Sequence, residues 1–155
     1  MAKLIFGERI GRSARLRVGC TATIFDARRE KILLQRRSDN GRWGLPGGGM
    51  DSGESAAEAC ARELLEETGL QTCVKKLVGI YTDPHMIMEY PDGNRWHIVA
   101  FHFEMEVTGG EITLDEETLE LAYFSRDDLQ DLDLMEHHLL RIDDAFAGQE
   151  AAFIR

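Results

Sequence analysis

The chain has 155 residues, of which 43% are hydrophobic and 30% charged, and its formal net charge is −10 at pH 7. This size and composition predict one soluble domain, residues 1–155, with enough chain to bury a core. The negative charge argues against a nucleic-acid polymer or an anionic membrane surface as partner, whereas a small phosphate compound remains compatible if a cation mediates its binding.

The sequence shows no targeting segment. Its first twenty residues contain no apolar run of signal-peptide length, and no stretch approaches the roughly 20 apolar residues of a membrane span. Cys20, Cys60 and Cys73 have no CxxC spacing, which disfavours disulfides and a structural zinc site and suggests core thiols. We therefore expect a protein of the reducing cytoplasm; the sequence does not indicate its oligomeric state.

The first part of the chain predicts two strands and a long loop. Residues 14–25 alternate in polarity and are rich in β-branched side chains, and residues 31–37 repeat this pattern after a turn at 26–30. We expect these two strands to form a hairpin. Residues 38–54 form a loop whose glycines allow the backbone to approach a ligand closely.

A helix at 56–68 is the most clearly bounded element. Ser55 and Glu58 have the spacing of a capping box, in which each side chain bonds to the backbone N–H of the other. Gly69 stands where glycine commonly ends a helix, because it adopts the left-handed conformation without strain. Both ends of the helix are therefore specified locally.

Three glutamates of this helix, Glu63, Glu66 and Glu67, occupy positions i, i+3 and i+4 and share one face. Like charges at this spacing destabilise a helix by roughly 0.2–0.5 kcal/mol per pair. A hard divalent cation would turn the repulsion into attraction, and Mg²⁺ binds in this way, through a few carboxylates together with substrate phosphates. The alternative is an acidic face that is merely solvated.

The second half of the chain predicts further strands and one or two terminal helices. Strands are predicted at 72–82, 86–90, 95–107 and 121–124, with a turn at 91–94, and helical spacing is present within 126–148. Strands on both sides of a central helix, followed by closing helices, predict a mixed sheet between helices.

From Gly48 onward the sequence resembles the Nudix box, G-x5-E-x7-R-E-U-x-E-E-x-G-U, where U is a bulky aliphatic residue. Every defined position matches: Gly48, Glu54, Arg62, Glu63, Leu64, Glu66, Glu67, Gly69 and Leu70. The resemblance implies an α/β fold, specifically an α/β/α sandwich with a mixed β-sheet. It also implies a hydrolase that cleaves a pyrophosphate linked to a nucleoside, with Mg²⁺ or a substitute such as Mn²⁺ as cofactor.

The resemblance also implies roles for individual residues. Glu66 and Glu67 correspond to the principal metal ligands, and Glu63 to a further ligand or the general base. The carbonyl of Gly47 corresponds to a backbone ligand of the metal. Arg62 is expected to orient the carboxylates, with Glu54 folding back on it.

In some family members the base lies instead in a loop well after the box. Glu117 is the preferred candidate for this role and Glu120 the second, with Glu116 beside them. For the substrate, the resemblance implies a phosphate contact from Arg37, and the glycine at position 48 lets the backbone approach the substrate. Trp43 either stacks on a base or anchors the loop.

The predicted substrate is a small nucleotide. A nucleoside triphosphate, cut to monophosphate and pyrophosphate as by MutT-like enzymes, is the first expectation. ADP-ribose or a nucleotide sugar is the alternative within the family. A catalytically inactive nucleotide-binding module is the alternative of another class, although the full set of carboxylates disfavours it.

Overall fold

Nine strands, two α-helices and two short 3₁₀ helices make up the computed structural model, which describes residues 2–155. The strands are β1 (Lys3–Phe6), β2 (Arg15–Thr23), β3 (Lys31–Arg37), β4 (Trp43–Gly44), β5 (Leu70–Tyr81), β6 (Met86–Glu89), β7 (Arg95–Gly110), β8 (Thr118–Ser125) and β9 (Phe153–Ile154). The helices are α1 (Ala56–Thr68) and α2 (Glu136–Ala147), and the 3₁₀ helices are Ile10–Ser13 and Asp127–Asp131. No helix of the described residues is long and apolar enough to cross a membrane.

Strand β7 is the centre of the larger sheet. Strand β2 runs parallel along one edge of it, while β5 and β6 run antiparallel along the other. Strand β1 pairs with β6 in antiparallel orientation, and the short β9 pairs with β5 in parallel. The smaller sheet is antiparallel, in the order β4–β3–β8. The predicted mixed α/β architecture is confirmed.

The predicted hairpin between residues 14–25 and 31–37 is wrong, although both strands exist. They lie in different sheets and share only one isolated bridge, between Phe25 and Ile32. The reason is that the glycine-rich loop occupies the edge of β2 where β3 would pair. Three backbone hydrogen bonds hold the loop there, from Cys20 N to Gly48 O (2.9 Å), from Ala22 N to Pro46 O (2.9 Å) and from Met50 N to Val18 O (3.1 Å).

Helix α1 has the predicted bounds. Ser55 accepts from Glu58 N, Glu58 in turn accepts from Ser55 N, and Gly69 ends the helix at φ 75°. The inner side of α1 is fully buried at Ala59, Cys60 and Leu64 and packs on β2 and β5. Small residues on this side allow the helix axis to approach the sheet closely, which brings its acidic edge next to the glycine-rich loop.

A second core lies between the smaller sheet and α2. It contains Ile32, Leu34 and Leu45, together with Leu129 and Ile142 from the C-terminal part. The region predicted to hold one or two terminal helices divides here into the second 3₁₀ helix and α2.

The cysteines follow the prediction only in part. All three are free thiols; Cys20 and Cys60 are buried, but Cys73 is exposed on β5. Strands β1, β4 and β9 were not predicted, because they have too few residues to show a period.

His102 on β7 gives the stability of the fold a specific pH dependence. Its ring is fully buried between Thr21 Oγ1 (2.8 Å from Nδ1) and Thr23 Oγ1 (2.9 Å from Nε2), and burial lowers its pKa to about 3. In the unfolded chain a histidine has a pKa of about 6.5 and binds a proton below that pH, whereas His102 in the folded state stays neutral down to a much lower pH. The free energy of unfolding therefore decreases as the pH falls below about 6.5.

Between pH 7 and pH 5 this residue is expected to cost the folded state about 2 kcal/mol. Urea titrations of the wild type and His102→Gln at both pH values give, for each protein, the change in the free energy of unfolding between pH 7 and pH 5. The difference between these two changes is the contribution of His102, whatever the substitution itself costs in stability. Identical pH dependence in both proteins would mean that His102 accepts a proton in the folded state.

Candidate active site

The glycine-rich loop and helix α1 meet at Glu67. This carboxylate is 3% exposed, and its Oε2 accepts a hydrogen bond from the N–H of Gly47 (2.7 Å). Burial raises the pKa of Glu67 to about 8, against the bond from Gly47, which lowers it. At Gly47 the backbone has φ +141°, and a Cβ would overlap the carbonyl of Cys20, so only glycine fits where the loop follows β2.

Arg62 organises the other carboxylates of the site. Its guanidinium forms two hydrogen bonds to Glu54 (2.8 and 3.1 Å) and one each to Glu63 (2.9 Å) and Glu66 (3.4 Å). It also donates to the carbonyl of Gly49 (3.0 Å), which ties the loop to the helix. The bidentate contact with Arg62 lowers the pKa of Glu54 to about 2. Arg62 therefore contacts the carboxylates that it is predicted to orient, with Glu54 folded back on it, and its orienting role stays a prediction.

Glu63 lies directly beneath the loop. Its side chain is 17% exposed, and a Cβ on Gly48 would overlap its carboxyl group, so the glycine permits this close approach. Burial raises the pKa of Glu63, the hydrogen bond from Arg62 lowers it, and the charges of Glu66 and Glu117 raise it further. The net direction is upward, which suits a group that either accepts a proton or joins a cation.

The oxygen donors of the site suit a hard cation. The chemistry is that of carboxylates and a backbone carbonyl, and a cation would favour the ionised form of the buried Glu67. In the present arrangement Arg62 draws Glu63 and Glu66 toward itself, so within residues 2–155 no three acidic, histidine or cysteine groups are gathered tightly enough to enclose a metal. Binding would require these two side chains to rotate away from Arg62.

The acidic loop before β8 presents its three glutamates differently. Glu117 lies beside the site: its carbonyl accepts from Ser38 N (2.9 Å), and its charge influences both Arg37 and Glu63. Glu120 instead pairs with Arg36 (3.9 Å). Because Arg36 follows the buried Gln35 on β3, Glu120 lies on the outer face of the smaller sheet. Glu116 is exposed.

A cleft of about 770 Å³ opens beside the loop, between the larger sheet and the N-terminal half of α2. This volume is in the range of small-molecule sites. Of the residues predicted to contact substrate, Arg37 and Gly48 line it, as does the predicted ligand Gly47. Arg37 is held by Asp39 through two hydrogen bonds (3.0 and 3.3 Å).

Trp43 does not take the substrate-stacking position predicted as one of its two roles. Its ring packs edge-on against Phe124, with centroids 4.8 Å apart, and joins the second core beside Leu132 and Leu134. The backbone of Trp43 bonds to the segment before α2, through Asp133 O and Met135 N (both 2.9 Å). Trp43 therefore anchors the loop, and strand β4 directs its ring away from the cleft.

Several cleft residues were not found from the sequence. Arg17 lies over the rings of Tyr90 and Trp96, and α2 contributes His138 and Arg141. Arg17 had no readable signal, because it stands at the outer end of β2, where its neighbour Leu16 is also exposed. The α2 residues had none, because a buried polar residue on a short amphipathic helix cannot be told from a surface one without knowing what the helix packs against.

Comparison with known proteins places the chain among relatives of similar architecture. The NUDIX domain profile matches residues 15–144. An ADP-ribose pyrophosphatase of Methanocaldococcus jannaschii is 37% identical over 105 residues, which are 66% of this chain and 59% of that protein. The nucleoside triphosphatase NudI of an Enterobacter species is 35% identical over 114 residues, 68% of this chain and 79% of that protein.

A solved structure gives the same picture. An ADP-ribose pyrophosphatase from Streptococcus suis superposes with a TM-score of 0.64 and 25% identity, covering 90% of this chain and 97% of the other. The match to the archaeal relative spans about three fifths of that relative's length, 59%. Residues 15–144, which the NUDIX profile matches, include the glycine-rich loop, helix α1 and strands β2 to β8.

Proposed function

Because this chain belongs to the NUDIX domain family, we propose that it hydrolyses a pyrophosphate linkage in a nucleoside triphosphate or a related nucleoside diphosphate derivative, with Mg²⁺ or Mn²⁺ as cofactor. The observation that carries the proposal is the position of Glu67. A carboxyl group that is 3% exposed, beneath a glycine loop and one turn from Glu63, ionises at neutral pH only at a cost, and a bound cation removes that cost. A protein that only bound nucleotides would not need this arrangement.

The metal site consists of Glu63, Glu66, Glu67 and the Gly47 carbonyl. A divalent cation held there would neutralise phosphate charge and lower the pKa of the attacking water. Arg62 holds Glu63 and Glu66 beside the loop until a cation draws them away, and its remaining bonds to Glu54 and the Gly49 carbonyl keep the loop tied to the helix. Arg37 donates hydrogen bonds to a substrate phosphate at the edge of the cleft.

Glu117 is the proposed general base. It is exposed, adjacent to Arg37 and close enough to Glu63 to affect its charge, so it can take a proton from a water placed between loop and helix. Glu63 is the alternative base, whereas the pairing of Glu120 with Arg36 on the outer face argues against Glu120.

A nucleoside triphosphate is the first proposed substrate, and ADP-ribose or a nucleotide sugar the second. The second is favoured specifically by the relatives from Methanocaldococcus jannaschii and Streptococcus suis, both described as ADP-ribose pyrophosphatases. The first is favoured by the Enterobacter relative, described as a nucleoside triphosphatase. The cytoplasmic location and the single domain over residues 1–155 stay predictions.

A nucleotide panel tests the proposal. Purified protein is incubated with nucleoside triphosphates, ADP-ribose and nucleotide sugars, in Mg²⁺, Mn²⁺ or EDTA, and products are separated by anion-exchange chromatography. We expect metal-dependent release of a nucleoside monophosphate from at least one compound. Glu66→Gln, at an exposed position, is the control for contaminating hydrolases. If wild type and control gave equal product, or no compound were cleaved, the hydrolase proposal would fail.

A further inference from the structure

Arg141 is a buried cation that pairs with no acidic side chain in the part of the chain that the structure describes. It lies on α2, is 5% exposed and lines the cleft. Its Nε is buried and has no hydrogen-bond partner within residues 2–155. The carboxylate one turn further along α2, Asp144, is occupied instead by Arg155 (2.9 Å) and by the hydroxyl of Tyr81 (2.9 Å).

The surroundings of Arg141 provide no compensating negative charge. Its guanidinium lies over the ring of Tyr81, 5.4 Å from the centroid, and burial holds the pKa values of His102 and His138 far below neutral, so both rings are uncharged. A buried, unpaired cation is strongly destabilising, whereas an apolar side chain of similar size would fill the same space without that cost. A ligand in the cleft is the partner that the donors of Arg141 lack.

This part of the cleft is separate from the phosphate end. The carboxylates and Arg37 lie at the glycine loop, where the charges of Glu67 and Glu117 act on Arg37. Arg141 lines the same cleft as a group of apolar and aromatic side chains: Leu4, Met86, Met88, Tyr90, Ile98 and Met135. Charged side chains, among them Arg17 and Glu136, line the cleft as well. The apolar and aromatic group suits a flat base, while the phosphates stay with the carboxylates and Arg37.

We propose that Arg141 determines base specificity by donating two hydrogen bonds to adjacent acceptors of the base, and thereby selects a 6-oxopurine over adenine. Guanidinium is a rigid fork with donors only. A 6-oxopurine presents two neighbouring acceptors, O6 and N7, whereas adenine presents an amino donor beside N7. The inference rests on the proposed function only in that the ligand of the cleft is a nucleotide.

Equilibrium binding in EDTA tests the proposal without relying on turnover. Titration calorimetry with GMP, IMP and AMP is expected to show GMP and IMP binding about tenfold or more tightly than AMP, the scale of one bidentate contact. IMP has the same two acceptors as GMP but lacks the 2-amino group, so similar affinity for both assigns the preference to O6 and N7. Equal affinity of the wild type for all three compounds would overturn the proposal.

Variants of Arg141 separate base recognition from other roles. Arg141→Met is expected to remove the preference and to melt no lower than wild type, because it replaces an unpaired charge by an apolar side chain. Arg141→Lys keeps the charge but loses the fork, so it should also lose most of the preference. Arg126→Met, at an exposed arginine outside α2 that pairs with Asp143 on α2, should change neither the preference nor the melting temperature.

The opposing outcomes are equally specific. A parallel loss of affinity for GMP, IMP and AMP in Arg141→Met would assign Arg141 to a phosphate and contradict base recognition. A lowered melting temperature with the preference intact would mean that Arg141 only packs on Tyr81. Hydrolysis with no base preference would contradict this inference but not the hydrolase proposal. A base preference without hydrolysis would contradict the hydrolase proposal but not this inference.

Discussion

Glu117→Gln is expected to lower kcat about a hundredfold or more, the usual scale for removal of a general base. The substitution keeps the size and hydrogen-bonding reach of the side chain but removes its ability to accept a proton. Glu117 is exposed, so the fold should be unaffected. Steady-state rates with the preferred nucleotide at saturating Mg²⁺ give the measurement, and an unchanged KM would assign the loss to the chemical step.

Glu116→Gln and Glu120→Gln are matched controls for the same loop and strand. Glu116 is exposed next to Glu117, and Glu120 pairs with Arg36 on the outer face, so both variants should keep rates near wild type. Glu63→Gln tests the alternative base, although it also removes a metal ligand. If Glu117→Gln retained near-wild-type kcat, Glu117 would have no part in the mechanism and Glu63 would become the preferred base.

Glu67→Gln is expected to separate metal binding from stability. In EDTA the variant should be as stable as wild type or slightly more so, because it replaces a buried carboxyl group, whose ionised form burial and the charge of Glu63 disfavour, by a neutral amide. The amide oxygen of Gln can still accept from Gly47 N. With metal, the wild type should be more stable than the variant. A cation that binds only the folded state stabilises it by about 2.7 kcal/mol at a hundredfold excess over Kd, a rise in Tm of several degrees.

Thermal melts in EDTA, Mg²⁺ and Mn²⁺ at matched ionic strength measure this difference. The ionic strength must be constant because added salt screens acidic surfaces in any protein. Glu8→Gln, which removes the same charge from an exposed position, should respond to metal like the wild type. An equal metal response in Glu67→Gln and wild type would mean that Glu67 is not a ligand and that the acidic helix face is merely solvated.

Helix α1 is the part of the fold that the sequence predicted best, because residues close in sequence determine where it begins and ends. Helix α1 has the bounds expected from its capping box and its terminal glycine, because both act within a few residues of the helix ends. The shared face of Glu63 and Glu66 follows from helical spacing alone. The Nudix box is also local, and the resemblance it carries therefore identified the family from one short segment.

The sequence by itself thus determined the central helix, its acidic face, most strands and the family. The tertiary structure alone decided which carboxylate is buried: Glu66 is exposed and its neighbour Glu67 is 3% exposed beneath the loop. It also decided that the glycine-rich loop replaces β3 at the edge of β2, and that Arg141 is left unpaired in the cleft. The physical reason is common to all three. Strand partners, burial and charge pairing depend on residues far apart in the chain, which local spacing cannot specify.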